Sequence, residues 1–317
     1  MNKLMFAGLV LLLNIGLVFA HTDKAYITNA ASPSSISMCT LQPLTGQFET
    51  CEDYFLDNLA APLDIAFANQ HAYIANSNYP AFITQCKMNH QGELNTCTKS
   101  DVPSYSGISF HQSDALYAYL SYGASIVQKC TISQDGQLEN HNCKDSGAGP
   151  IFLNGPMHIA FKTFNQIDYA YIANGDYHIN ASVIQCKIEI NGDFANCQDS
   201  GAGSYFDGAA DVDFATLTGK TYAYITQPGG AVAKCTVDKF NGLFSDCAST
   251  GNHFNSPIGI TFQTIAHTLY AYIVDGGFNH PTANQVLQCA VDLLGDLDCL
   301  DAGAGDVFSN PFGIAIR

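Results

Sequence analysis

The sequence has no tryptophan, and only 12 of its 317 residues are Lys or Arg, against 28 Asp and Glu. A formal charge of −16 makes nucleic acid and anionic membrane surfaces poor partners, because their phosphates are repelled. Arginine occurs once, as the final residue Arg317, so bidentate clamps on a phosphate or carboxylate are nearly excluded. Beyond residue 20 no apolar run approaches the roughly 17–25 residues of a spanning helix. Cys-x-x-Cys, His-x-x-x-His and Gly-x-Ser-x-Gly are all missing. That removes the usual signatures of zinc sites, dithiol redox centres and α/β-hydrolase nucleophiles. Gly147-Ala148-Gly149, Gly201-Ala202-Gly203 and Gly303-Ala304-Gly305 have neither a following helix pattern nor a phosphate-loop lysine, so they read as connecting turns.

With 47% hydrophobic and 13% charged residues, the chain is that of a folded core. Lys3, the apolar run from Leu4 to Val18 and the segment Val18-Phe19-Ala20 predict a signal peptide over residues 1–20. The competing reading is a retained anchor. Residues 21–317 are expected to form one domain, exported to a secreted or periplasmic location, without stable membrane insertion and monomeric.

An Ala-Tyr pair recurs six times, with Tyr26, Tyr73, Tyr119, Tyr171, Tyr224 and Tyr272 spaced by 46 to 53 residues. Each copy continues with a cysteine, a Gly-centred turn, a second cysteine and a short apolar run such as Ile65-Ala66-Phe67 or Ile159-Ala160-Phe161. The runs are short, β-branched or aromatic, and punctuated by Gly, Asn, Asp and Pro, with no helical period. Four such strands per unit are expected for an all-β, six-bladed β-propeller with four antiparallel strands per blade. The chain begins in mid-blade, so Ala25–Asn29 should pair with Pro311–Ile316 to close the ring and remove an open edge.

The units resemble the tandem repeats of the YVTN and NHL-like propeller families. The residues carrying the likeness are Pro62 to Phe67 and Pro156 to Phe161, with Ala25 to Asn29, Ala72 to Asn76 and Ala170 to Asn174. The paired cysteines depart from the usual pattern and mark an exported variant.

Twelve cysteines in an exported chain predict disulfides. The midpoint of each pair falls within one residue of its turn glycine: Gly46, Gly92, Gly136, Gly192, Gly242 or Gly295. Two cysteines placed symmetrically about a hairpin turn face each other at near-disulfide distance. The expected pairs are Cys39–Cys51, Cys86–Cys97, Cys130–Cys143, Cys186–Cys197, Cys235–Cys247 and Cys289–Cys299.

Two positions per blade point to the same channel mouth. The first, just before the inner strand, reads Asp64, Gly107, His158, Asp211, Gly259, Gly313. The second, at the end of the Ala-Tyr strand, reads Asn29, Asn76, Tyr122, Asn174, Gln227, Asp275. Carboxylates, amides and one histidine converging there are candidates for ligand binding. Asp64, Asp211 and His158 are the candidates for a cation such as calcium, although the calcium ligands of six-bladed lactonases do not align residue by residue. His90, His141, His178, His253 and His280 read as scattered surface residues, and Asn180-Ala181-Ser182 as a glycosylation acceptor. The leading expectation is a non-enzymatic propeller that binds an extracellular protein, a glycan or a small ligand through the loop face. The alternative is a calcium-dependent hydrolase or lactonase-like enzyme at the same mouth.

Overall fold

The computed structural model describes residues 23–317 except 105, 123–125, 150–154, 176–181, 202–207, 252–253, 277–283 and 306. The signal segment, the acceptor at Asn180, and His178, His253 and His280 therefore lie outside the described residues. Six four-stranded antiparallel sheets surround a common axis, with no helix among the described residues. The blades comprise residues 62–99, 108–145, 156–199, 211–249 and 257–301, and a first blade in which Pro311–Ile316 joins Lys24–Tyr54. Ala25 pairs with Ile316 and Ile27 with Ile314, so the two ends of the chain close the ring as expected.

The second strand of each blade is sandwiched between neighbouring blades. His71–Asn76, for example, is buried from Ala72 onward on both faces, which explains its unbroken apolar sequence. The outer strands alternate differently: Phe48–Tyr54 buries its first residue and turns polar side chains to solvent. Charge on that edge discourages pairing with another sheet.

The repeated tyrosine and the repeated turn glycine form one device. Each hydroxyl donates to the glycine carbonyl of the next blade: Tyr26 to Gly92, Tyr73 to Gly136, Tyr119 to Gly192, Tyr171 to Gly242 and Tyr224 to Gly295. Tyr272 completes the circle on Gly46 at 2.6 Å. The glycine is required twice over, since φ at Gly192 is +76° and an added Cβ would lie 2.9 Å from the Tyr119 hydroxyl. Burial pushes the Tyr26 hydroxyl up to about 12, so it stays a donor at physiological pH. Tyr119→Phe keeps the stacking on Phe194 but strands the Gly192 carbonyl in a buried junction. A loss of about 1–3 kcal/mol is expected in urea unfolding.

All six disulfides join the predicted partners. The inner cysteine of each pair is fully buried. In three blades the residue before the outer cysteine (Thr96, Asn196, Asp246) has positive φ. The strand register slips at the same place: a bulge there brings the second sulfur opposite the first. Because each bridge closes only a short loop, 11 residues for Cys186–Cys197, the double variant Cys186→Ser/Cys197→Ser should lose about 2–3 kcal/mol. Thermal and urea unfolding measure it, and the ring should survive. Six bridges belong to an oxidising, exported compartment.

Candidate active site in the axial channel

The inner strands begin with a local irregularity. Where they open on Pro62, Pro156, Pro257 and Pro311, the register with the second strand shifts within the next two or three residues. Such a bulge re-aims a side chain, and the residues involved include Asp64 and His158. In three blades the equivalent position is glycine for a steric reason. A Cβ on Gly107, Gly259 or Gly313 would lie 2.1, 2.7 or 2.6 Å from a main-chain oxygen of the adjacent inner strand. Which blades carry glycine rather than Asp or His therefore follows how closely adjacent inner strands approach one another.

The structure brings Asp64, His158 and Asp211 together. His158 Nδ1 lies against Asp211 Oδ1, and its Nε2 is 3.7 Å from Asp64 Oδ2. Both carboxyls are buried and tied to main chain. Asp64 accepts from Ile65 N and Ile108 N, each at 2.8 Å. Asp211 accepts from Val212 N at 2.7 Å and Ile260 N at 2.8 Å. Each carboxylate thus pins its own strand to the next one.

Burial alone would lower the His158 imidazole. The Asp211 and Asp64 carboxylates outweigh it and push the ring up to about 10, so His158 is an imidazolium at neutral pH. Burial raises Asp64 to about 6, against the pull of His158 and the two N–H donors. Asp213, two residues along the same inner strand, is raised to about 7 by burial and by Asp211, opposed by Phe214 N–H, His158 and Lys162. Reading the sequence for the mouth positions alone missed it. The signal was present: the corresponding residues of the other blades are Ala66, Ser109, Ala160, Thr261 and Ala315, all small and uncharged.

His158 separates two unequal spaces. Toward the loop face lies a crevice of about 30 Å³. An apolar collar of Leu63, Met157, Ala210, Ile258 and Phe312 covers it. On the other side the channel opens into a chamber of about 460 Å³, walled by Ile65, Ile108 and Ile314 with the hydroxyls of Ser109 and Thr261, reaching Asn69 and Arg317. That volume falls in the usual range for small-molecule sites, about 300–1,000 Å³. The face of the cluster with room for a ligand is therefore the one away from the loop mouth on which the sequence reading centred.

The second set of candidate residues is engaged elsewhere. Asn76 Oδ1 accepts from Ala60 N at 2.8 Å, and Asn29 Oδ1 from Ser309 N at 3.2 Å. Asp275 takes Asn255 N and Ser256 N, both at 2.8 Å, and the side-chain amides of Asn255 and Gln285. All three hold the loop that enters the inner strand of their own blade. Asn174 and Gln227 are buried at the ends of their strands, and Tyr122 ends the corresponding strand of the third blade. None of the six is in a described contact with His158.

Calcium does not fit this donor set. It requires six to eight oxygen ligands, whereas all four carboxylate oxygens here already accept a main-chain N–H and the imidazole stands between them. No group of three or more His, Cys, Asp or Glu arranged for a metal ion occurs among the described residues.

No protein-family model matches the chain, and no curated protein matches it. The YVTN/NHL likeness is thus not established as membership; what holds is the propeller. Among solved structures, the periplasmic gluconolactonase PpgL of Pseudomonas aeruginosa is similar at 12% identity and a TM-score of 0.56, over 93% of this chain and 99% of that one. A protein of Bacteroides fragilis, provisionally assigned as a 6-phosphogluconolactonase, is similar at 13% identity and 0.57, over 95% and 99%. A Bacteroides uniformis protein with the same assignment is similar at 15% identity and 0.53, over 92% and 84%. At such identities these likenesses establish the fold. The expectation of a non-enzymatic binding propeller is corrected by them: the similar chains carry lactonase names. The charged groups here also converge inside the ring rather than on a loop face.

Proposed function

We propose that the protein is an exported hydrolase that opens a small cyclic ester, of the sugar-lactone class, in the axial chamber. One observation carries this reading: an imidazolium held by Asp211 faces a 460 Å³ chamber, and Asp213, two residues along the strand of Asp211, carries a carboxyl raised to about 7. At 3.7 Å, His158 Nε2 is too far from Asp64 for a hydrogen bond. Its N–H is left to donate to the carbonyl oxygen of a lactone, where negative charge develops as water adds. Asp213, as carboxylate, takes the proton of the attacking water and returns it to the ring oxygen when the C–O bond breaks. The product is the open hydroxy acid. Asp211 orients the imidazole through Nδ1, as the carboxylate of a catalytic triad does.

The similar structures named as lactonases support the substrate class, and the one named periplasmic supports the compartment, secreted or periplasmic. Three carboxyls at the His158 end favour an uncharged lactone over a phosphorylated one. The test is a pH-stat assay of purified, oxidised protein on glucono-1,5-lactone and on 6-phosphogluconolactone. Expected is saturable acceleration over spontaneous opening, greater for the uncharged substrate and lost in His158→Gln. No acceleration of either lactone, at any protein concentration tried, would sink the proposal.

A further inference from the structure

At five of the six blade junctions, the side chain preceding the first cysteine of the pair donates to the neighbouring turn. Gln85 reaches Gly136 O, Lys129 reaches Asn191 O at 2.6 Å and Gln185 reaches Asn241 O at 2.7 Å. Lys234 reaches Leu294 O at 3.0 Å and Gln288 reaches Thr45 O at 2.6 Å. Between the first and second blades the equivalent residue is Met38, which has no donor. A cavity of about 180 Å³ occupies this junction, lined by Lys24, Tyr26, His90, Gln91 and Arg317 among others.

The charges at this junction are also unlike those elsewhere. Neither Lys24 nor Arg317 has a carboxylate partner among the described residues. The Lys24 ammonium is 3.7 Å from Met38 Sδ. The Arg317 guanidinium is 3.3 Å from Met88 Sδ and donates to Asn69 O at 2.9 Å. Glu93, on the hairpin that lines the cavity, accepts from Asn89 Nδ2 at 2.6 Å. The junction tyrosines report the same asymmetry. Beyond its burial, Tyr26 feels chiefly the Arg317 cation, whereas Tyr73, Tyr119, Tyr224 and Tyr272 each feel at least one aspartate. In a chain of net charge −16, two cations without a side-chain ion pair among the described residues share the wall of this one cavity.

We propose that the cavity between the first and second blades binds a small oxyanion, a phosphate or carboxylate group, through Lys24 and Arg317. The guanidinium offers a planar fork suited to two oxygens of such a group, and the ammonium a point charge beside it. The site is distinct from the axial chamber, although Arg317 borders both, and it does not depend on the lactonase reading.

Isothermal titration at fixed ionic strength, in bis-tris propane chloride at pH 7.5, tests it with sodium phosphate and with sodium gluconate as separate ligands. Expected is saturable one-to-one binding of at least one of them. Arg317→Gln and Lys24→Gln should each weaken it at least tenfold. Lys220→Gln removes an equal charge from an exposed strand end and should leave it unchanged. Phosphate binding without gluconate binding assigns the site to phosphate esters, and the reverse assigns it to sugar acids. Absence of saturable binding by both, or binding indifferent to Arg317→Gln and Lys24→Gln in variants that melt with the parent, overturns the proposal.

Discussion

Asp213→Asn is expected to lower lactone turnover by about 10²–10⁴-fold, the usual contribution of a positioned general base, while changing the melting temperature little. The direction of the pH dependence follows from the two shifted groups. Asp213 must be ionised to accept a proton, so activity should rise as pH passes about 7. His158 must be protonated to donate, so activity should fall as pH passes about 10. The Asn variant should lose the rising limb near 7 along with its rate, because an amide does not titrate there. A variant with near-parental turnover, or one that keeps the same limb, would move the base to another residue. Asp64, raised to about 6, is the next candidate, and Asp64→Asn would then show the missing limb.

Removing the imidazole should cost stability as well as activity. His158→Leu leaves Asp64 and Asp211 buried with their main-chain donors but without a counter-charge. Breaking one partner of a buried ion pair typically costs about 3–5 kcal/mol. About 3 kcal/mol is expected here, because the ring edges a water-accessible chamber. The folded-state pKa of His158 is raised above its ordinary 6.5 to about 10. Its contribution is therefore complete below about 6.5 and lost as pH rises through about 10. Asp64 is raised from 3.8 to about 6, so the folded state favours its protonated form. The stability tied to that proton is present below about 3.8 and is lost as pH rises through about 6. The gap between parent and variant should therefore be widest near pH 6 to 6.5, shrink steadily as pH rises toward 10, and narrow when acid neutralises Asp64. Urea unfolding at pH 5, 7.5 and 10 measures it. Equal stabilities at pH 7.5 would show that the cluster contributes nothing to closing the ring.

The two effects meet in one arrangement. Asp64 and Asp211 bind the main chain of the next inner strand at Ile108 and Ile260, so the groups that set the charge of His158 also hold adjacent blades in place. A rigid first layer of this kind keeps a proton donor aimed without reorganisation during reaction. The cost is that the site tolerates few changes. Substituting either aspartate perturbs a blade junction as well as the imidazole, which is why Asp213, which accepts from Phe214 N of its own strand at 2.7 Å and makes no described hydrogen bond to another blade, is the cleaner probe of chemistry.

The amino-acid sequence by itself determined the blade count, the strand order, ring closure by Pro311–Ile316 and the six cysteine pairs. These are local or periodic properties. A hairpin places residues symmetrically about its turn, and a repeated unit must stack on its neighbours to bury its faces. Asp64, His158 and Asp211 were legible as a set because they stand at one position of the repeat. The tertiary structure alone decided which side of them is open: five collar residues from as many blades meet on the loop side, and nothing in a linear pattern states how closely strands approach an axis. It decided that Asn29, Asn76 and Asp275 serve loops, since hydrogen-bond partners far along the chain carry no sequence mark. It also decided that the tyrosine of one blade answers the glycine of the next, and that Met38 leaves one junction without a donor. Those contacts cross between units, and a repeat read along the chain records only what lies within one.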